Sequence, residues 1–391
     1  MKNLDLDQKY LAKILFQLLD IPSPTGMTDA VVHFICEELS SLGIQHELTR
    51  RGAIRADLKG KKESPDRAIV AHLDTLGAMV KNIKDNGRME IVPIGTWSPR
   101  FAEGARVTVY MDDNKICRGS ILPLKASGHT YNEEVDSQPM TWRNLELRVD
   151  VAASNRQELE QVGINVGDFV AIDSNPEQID NGYIVSRYLD DKAGVAAIMA
   201  AAKAIVENKV LLELDCHVLF TISEEVGVGA SHVLHGDVAE LVSVDNGTLA
   251  PGQNTSEFGV TISMQDSSGP FDRHLSQKLI HLCRDYDIEH SRDVFNYYRS
   301  DAAAAMEAGN DIRTALVCFG LDASHGYERT HIFSLMALAQ LLFLYIQSPP
   351  TFTRDRDLMA PLGDFPQQPE PAPVLKSPFN HTPDAKGSKS P

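Results

Sequence analysis

Basic residues are scarce in this sequence. Lys and Arg number 37 against 54 Asp and Glu, a net charge of −17, and a nucleic-acid partner is not expected, because phosphate recognition needs a basic surface. Paired cysteines are lacking too. The five that occur (Cys36, Cys117, Cys216, Cys283, Cys318) are far apart, odd in number and without a CxxC pair, so a disulfide framework is excluded in favour of free thiols in a reducing compartment. Long apolar runs are missing as well. The longest, around Phe333 to Ile346, is interrupted by Ser334 and Gln340 and is too short to span a bilayer, so no membrane partner is expected. The opening MKNLDLDQKY has neither the basic region nor the apolar stretch of a secretory signal, and the expectation is a cytoplasmic protein.

What is present is a globular composition, 43% hydrophobic and 23% charged over 391 residues, enough for two domains and a sizeable core. Leu11, Ile14, Leu15, Leu18 and Leu19 fall at helical spacing, and a second amphipathic helix is predicted from about Thr28 to Leu42. Ala68-Ile69-Val70-Ala71 then reads as a strand delivering His72-Leu73-Asp74. From about Leu76 to Ala171 the texture changes to short alternating segments separated by Gly, Pro, Asn and Asp, with both tryptophans and one helical piece near Asn155 to Val162. That pattern predicts a small all-β barrel, residues 76–171, inserted into an α/β mixed-sheet host made of 1–75 and 172–348. Beyond residue 348, ten of the twenty prolines crowd into 43 residues, and a disordered Pro-rich tail, 349–391, is predicted.

Chemistry concentrates at strand and loop ends. The apolar run Cys216 to Ile222 stops at Glu224 and Glu225, with Gly227 and Gly229 just beyond. Two adjacent carboxylates repel unless a cation sits with them, and in extended structure they point opposite ways. Asp190 and Asp191 precede an alanine-rich helix, where a plain N-cap is the alternative reading. Glu240 to Asp245 is another apolar strand ending in an acid, and His325 follows the strand Thr314 to Gly320. Taken singly, the glutamates could be a solvated turn and His72 a core histidine with an aspartate partner. Five such ends together (His72, Asp190, Glu225, Asp245, His325) instead suggest ligands for zinc, with cobalt or manganese as alternatives. Five ligands are too many for one open catalytic zinc but fit two metals sharing a carboxylate, with Asp190 the natural bridge. Glu224 is then left as general base, and Asp74 fits the acid that orients a ligating imidazole.

The stretches AHLDTLGAMV, YLDDKAGVAA, TISEEVGVGAS, SVDNGT, RSDA and SHGYE resemble, in order and with similar spacing, the metal-site motifs of the dinuclear tetrahedral (TET-type) and glutamyl aminopeptidases, and RVDVAASNRQELEQVGINVGD resembles that family's insert. The resemblance, over about Leu11 to Gln347, implies a Zn-peptidase-like core, a barrel used for dimerisation and large cytoplasmic homo-oligomers acting on small peptides or amides. Carried over by position, it makes His72 and Asp245 terminal ligands of one metal, Glu225 and His325 those of the other, Asp190 the bridge, Glu224 the catalytic base and Asp74 the support for His72. Thr75 stands where the family usually has Glu, Lys192 where it usually has Arg, and the tail is extra. These features resemble the subgroup associated with the osmoprotectant N-acetylglutaminylglutamine amide. A deacylase or dipeptide-amide hydrolase of the acetylornithine deacetylase type, using the same metals, is the alternative activity, and a non-catalytic oligomeric scaffold the alternative without activity. A metal-free glycosidase is disfavoured because adjacent glutamates seldom flank a sugar about 5 Å or more apart. Structural roles are expected for His129, His331 and Asp301, and a core position for His217. Lys192 is expected to serve either its turn or the substrate.

Overall fold

The computed structural model describes residues 1–367. A nine-stranded sheet forms the body, and at its centre lie four parallel strands in the order Leu212–Thr221, Gly60–His72, Val238–Thr248 and Arg313–Leu321. Their apolar runs are buried on both faces, as parallel strands require. Antiparallel strands flank them, Ile54–Leu58 on one side and Val260–Asp266 on the other. All four central strands run the same way, so their carboxyl ends share one edge of the sheet.

Against the sheet lies the helix Leu189–Glu207, which also packs on the helices Gln8–Leu19 and Ile332–Gln347. It is buried without interruption from Leu189 to Ala202, and a helix enclosed on all sides cannot be amphipathic. Its alanine-rich sequence supplies small side chains that allow close approach from every direction.

Six antiparallel strands between Gly77 and Ile172 close into a separate barrel, ordered Gly77–Ile83, Met89–Ile94, Leu145–Val149, Ile116–Pro123, Arg106–Tyr110 and Phe169–Ile172. Trp97 and Trp142 pack edge to face at 4.8 Å, and the Trp97 indole donates to the Gly77 carbonyl. Beside the anticipated helix, found at Arg156–Val162, this region carries two single-turn helices, Gly128–Tyr131 and Glu134–Ser137. The fold is thus a mixed α/β sheet with a small all-β barrel, as the sequence pattern anticipated.

The segment after Ser348, predicted to be disordered, begins with specific contacts. The Thr351 amide donates to Glu240, the Pro349 carbonyl accepts from Arg67 and Lys278, and Asp355 pairs with Arg313 at 2.6 Å. Buried charges that need partners hold it, although it has few bulky apolar side chains. The rest of the predicted tail, 368–391, lies outside the described residues. No helix among the described residues is long and apolar enough to cross a membrane.

Candidate metal centre

The carboxyl edge of the four parallel strands brings all five sequence-predicted ligands together. His72 is the last residue of its strand, Asp245 lies near the end of its own, and His325 follows the Arg313–Leu321 strand at a positive φ of 64°. Glu225 comes four residues after the Leu212–Thr221 strand. Asp190 and Asp191 lie in the first turn of the Leu189–Glu207 helix but have non-helical backbone angles, and no side chain caps that helix. The plain N-cap reading of this pair is therefore set aside.

Asp190 stands at the middle. Its Oδ1 lies 3.2 Å from Nε2 of His72 and its Oδ2 3.3 Å from Nε2 of His325. Two three-residue sets, His72–Asp190–Asp245 and Asp190–Glu225–His325, each present ligand atoms within 4.8 Å of one another and share Asp190. Nε2 of His325 also approaches Glu225 at 3.5 Å, and Nε2 of His72 approaches Glu224 at 3.8 Å. The two glutamates thus diverge, one toward each histidine. The expected cause was extended backbone, but they sit in a turn, closed by the Gly227 amide donating to Glu224 and the Val228 amide donating to Ser223.

Each candidate ligand is held from behind. Nδ1 of His72 meets the Asp74 backbone carbonyl at 2.9 Å, whereas the Asp74 carboxylate is 3.7 Å from that nitrogen. That carboxylate accepts instead from the Glu224 and Glu225 amides and from the Thr25 hydroxyl. Asp74 therefore orients the imidazole through its main chain and the glutamate turn through its side chain. Nδ1 of His325 lies 2.7 Å from the Thr96 carbonyl, which belongs to a barrel loop.

No ready signal in the sequence marks Thr96, Asn246, whose amide donates to both Asp190 and Asp245, or Glu328, which accepts from the Asp190 and His325 amides. Asn246 and Glu328 do lie inside the motifs SVDNGT and SHGYE. Asp301 is buried and accepts from the Thr221 hydroxyl beneath the glutamate turn. His331 bonds to Asn181 and Phe333 away from the centre, and exposed His129 lies on the Gly128–Tyr131 turn. Lys192 is fully buried and donates to the Leu18 and Ile21 carbonyls, so it ties the first helix's end to the aspartate turn.

The electrostatics are those of crowded carboxyls. Burial, reinforced by the Asp190 charge, pushes Asp245 well above the usual carboxylate range. Burial likewise raises Glu224, with His72 pulling the other way and Asp245 and Asp301 adding to the rise. Glu225 is pushed up to about 7 by burial and by Asp190, against the pull of His325. Burial would raise Asp190 too, but hydrogen bonds and charge from the two imidazoles hold it far below its ordinary value. His325 would be lowered by burial, yet Glu225 and Asp190 carry it up to about 11. Asp191 Oδ1 and Asn246 Oδ1 are buried without a partner. Two imidazoles and three carboxylates without thiols form a donor set for borderline divalent cations, and cations would relieve this repulsion. The residues fit.

The centre opens into a cleft of about 730 Å³ lined by, among others, Thr96, Glu224, Thr248, Tyr297, Tyr298 and Arg299.

Residues 52–341 match the model of the M42 glutamyl aminopeptidase family. The chain is 37% identical to "Putative aminopeptidase YhfE" of Bacillus subtilis over 86% of its own length and 97% of that protein's. Among solved structures, the aminopeptidase APDkam598 of Desulfurococcus kamchatkensis superposes with a TM-score of 0.77 at 22% identity, covering 87% of this chain and 95% of that one. The TET1 peptidase of Pyrococcus horikoshii, which assembles into a tetrahedron or a large octahedral shell, gives 0.75 at 23%, covering 86% and 99%. At those identities the two structures establish a common fold.

Proposed function

The chain belongs to the M42 glutamyl aminopeptidase family, a family of hydrolases, and from that premise we propose that it is a dinuclear metallo-aminopeptidase of small peptides. In this reading His72 and Asp245 would hold one divalent ion, Glu225 and His325 the other, and Asp190 would be shared between them. The observation that carries it is the division of one carboxylate, Oδ1 toward His72 and Oδ2 toward His325. Zinc suits the donor set best, with cobalt or manganese as substitutes. When bound, such ions supply Lewis-acid polarisation of the scissile carbonyl and lower the pKa of water.

The chain's own residues do the rest. Glu224 Oε2, on the His72 side, takes a proton from the attacking water and delivers it to the leaving nitrogen. Burial and neighbouring carboxylates raise its affinity for protons, which favours the first half of that transfer. Asp74 holds Glu224 in place by accepting a hydrogen bond from its backbone amide. Arg299, whose guanidinium pairs with Glu307 at 2.5 Å, is the one Lys or Arg among the described residues lining the cleft, which supports a substrate carrying a carboxylate.

The finer divisions belong to the same proposal. The body formed by 1–75 and 172–348 carries the catalysis, and the barrel, 76–171, serves dimerisation, giving a homodimer or a larger dimer-based assembly in the cytoplasm. Thr75, Lys192 and the proline-rich end support placement in the subgroup linked to the osmoprotectant N-acetylglutaminylglutamine amide, with a small peptide of that metabolism as substrate.

The test is Asp190→Ala. It is expected to lose both metals, measured by elemental analysis after gel filtration, because removing the shared carboxylate opens both sets. Full metal retention would refute the bridge. A panel of free dipeptides, their amides and acyl-amino acids separates aminopeptidase from deacylase activity.

A further inference from the structure

Away from the cleft, in the middle of the Leu212–Thr221 strand, His217 is 4% exposed and lies between two carboxylates. It precedes the strand's end by four residues, about 13 Å of strand. Nδ1 is 2.7 Å from Oδ1 of Asp57, its direct partner across the antiparallel pair, and Nε2 is 3.2 Å from Oδ2 of Asp66. A second imidazole, His235, lies over it with ring centroids 4.0 Å apart, and Nε2 of His235 reaches the same Asp57 oxygen at 3.4 Å. Nδ1 of His235 and Oδ1 of Asp66 are buried without partners.

The loop bearing His235 is tied down on both sides. Arg55 donates to the carbonyls of Val233 and Leu234, and Asp66 exchanges backbone and side-chain hydrogen bonds with Asp237. Gly236, at φ +66°, allows the close passage, since a Cβ there would stand 2.5 Å from the Asp66 carboxylate and 3.0 Å from Nε2 of His217.

A neutral imidazole has one N–H, so it satisfies one of its two carboxylates and turns a lone pair toward the other. A lone pair 2.7 Å from a carboxylate oxygen requires a proton or a metal cation between them. Protons alone would need an imidazolium at His217 and an N–H of His235 donating to the same oxygen, whereas one divalent cation shared by the three atoms meets these contacts with both rings neutral. Asp66 then plays the part usual beside metal-bound histidine, accepting from the ring nitrogen that does not ligate. Lys59, 3.8 Å from the other Asp57 oxygen and 2.8 Å from Asp215, leaves Oδ1 free for this role.

We propose that Asp57, His217 and His235 form a second, separate metal site for a borderline divalent cation of the zinc class, with water completing a tetrahedron. It staples the 233–237 loop to the sheet. The three ligand atoms lie within 4.8 Å of one another.

The experiment counts zinc in the full chain, stripped with chelator, reloaded at micromolar free zinc and passed through gel filtration. His235→Ala is expected to hold one equivalent less than wild type while keeping turnover on an aminoacyl anilide within about twofold, because it lies outside the cleft. Asp66→Asn is expected to keep the site but weaken it about 10- to 100-fold in a competition titration. His235→Gln, a milder change at the same position, guards against a folding defect and should also lose one equivalent. Unchanged zinc content and affinity in both His235 variants would overturn the site and leave His217 as an imidazolium between two aspartates. The count is a difference between variants, so its failure would leave the dinuclear reading of the cleft untouched.

Discussion

Glu224 and Glu225 are neighbours in sequence with different surroundings, one 3.8 Å from His72 and the other 3.5 Å from His325, so the same substitution should affect them differently. Glu224→Gln keeps size and hydrogen-bonding shape but cannot take a proton. It is expected to retain metal and lose turnover by about 10²–10⁴-fold, the usual worth of general acid–base catalysis. Glu225→Gln is expected to weaken one metal, with activity partly returning as zinc or cobalt is raised. Metal stoichiometry and turnover measured together across a titration decide it, and rescue of Glu224→Gln instead would reverse the roles. At this scale the sequence was informative because the chemistry had a local mark, an apolar run or a helix start meeting an acid or a histidine. Thr96 had none. It acts through a backbone carbonyl that any residue possesses, on a histidine 229 positions away. The Asp74 side chain was legible as important, but its partners, the amides of the glutamate turn, follow from how two strand ends meet.

At the scale of elements, strands and helices followed their patterns closely, as with the helix expected from about Thr28 to Leu42 and found at Asp29–Ser41. Periodicity is a local property that burial enforces. Less legible were the pieces whose conformation is set from outside. The glutamate turn, the two single-turn helices of the barrel and the small antiparallel sheet of Glu177–Gln178, Tyr183–Ser186 and Glu328–His331 are too short to show a period. The barrel loop illustrates why such pieces matter. Gly95, at φ +78°, brings Thr96 to His325, and a Cβ at Gly95 would lie 2.5 Å from Leu76 Cδ2 and 3.3 Å from the Glu225 carbonyl. Gly95→Val should push the loop outward and free the His325 ring. Weaker binding of one metal, near-normal binding of the other and turnover reduced about tenfold or more are expected from a zinc titration followed by activity. Equal weakening of both ions would show that the loop supports the whole centre, and no change would remove its role.

For the molecule as a whole, the chain is closed by a buried charge cluster. Arg67, fully buried, donates to the carbonyls of Tyr345 and Pro349 and to the Ser348 hydroxyl, and lies 3.8 Å from Glu240. Burial would raise Glu240, but Arg67, Lys278 and Thr351 pull harder and hold it below the usual carboxylate range. A carboxylate lowered in the folded state contributes stability above its unfolded pKa, about 4.3, and that contribution fades as pH falls through the folded value. Glu240→Gln should therefore melt well below wild type at pH 7, with the gap closing below about pH 4; a gap independent of pH would assign the loss to packing. The same cluster makes the end of the chain structural, contrary to its composition. A chain ended after Gln347 lacks the Ser348 hydroxyl and Pro349 carbonyl that bind Arg67, the Thr351 amide that binds Glu240 and the Asp355 carboxylate that binds Arg313. Stripping partners from a buried charge costs about 3–5 kcal/mol, so this truncation should lower the melting temperature by roughly 5 °C or more. A chain ended after Gln367 keeps every one of those contacts and should melt well above the shorter chain. Equal melting of both truncations would show that solvent replaces the lost partners and that the segment after Gln347 is dispensable for stability.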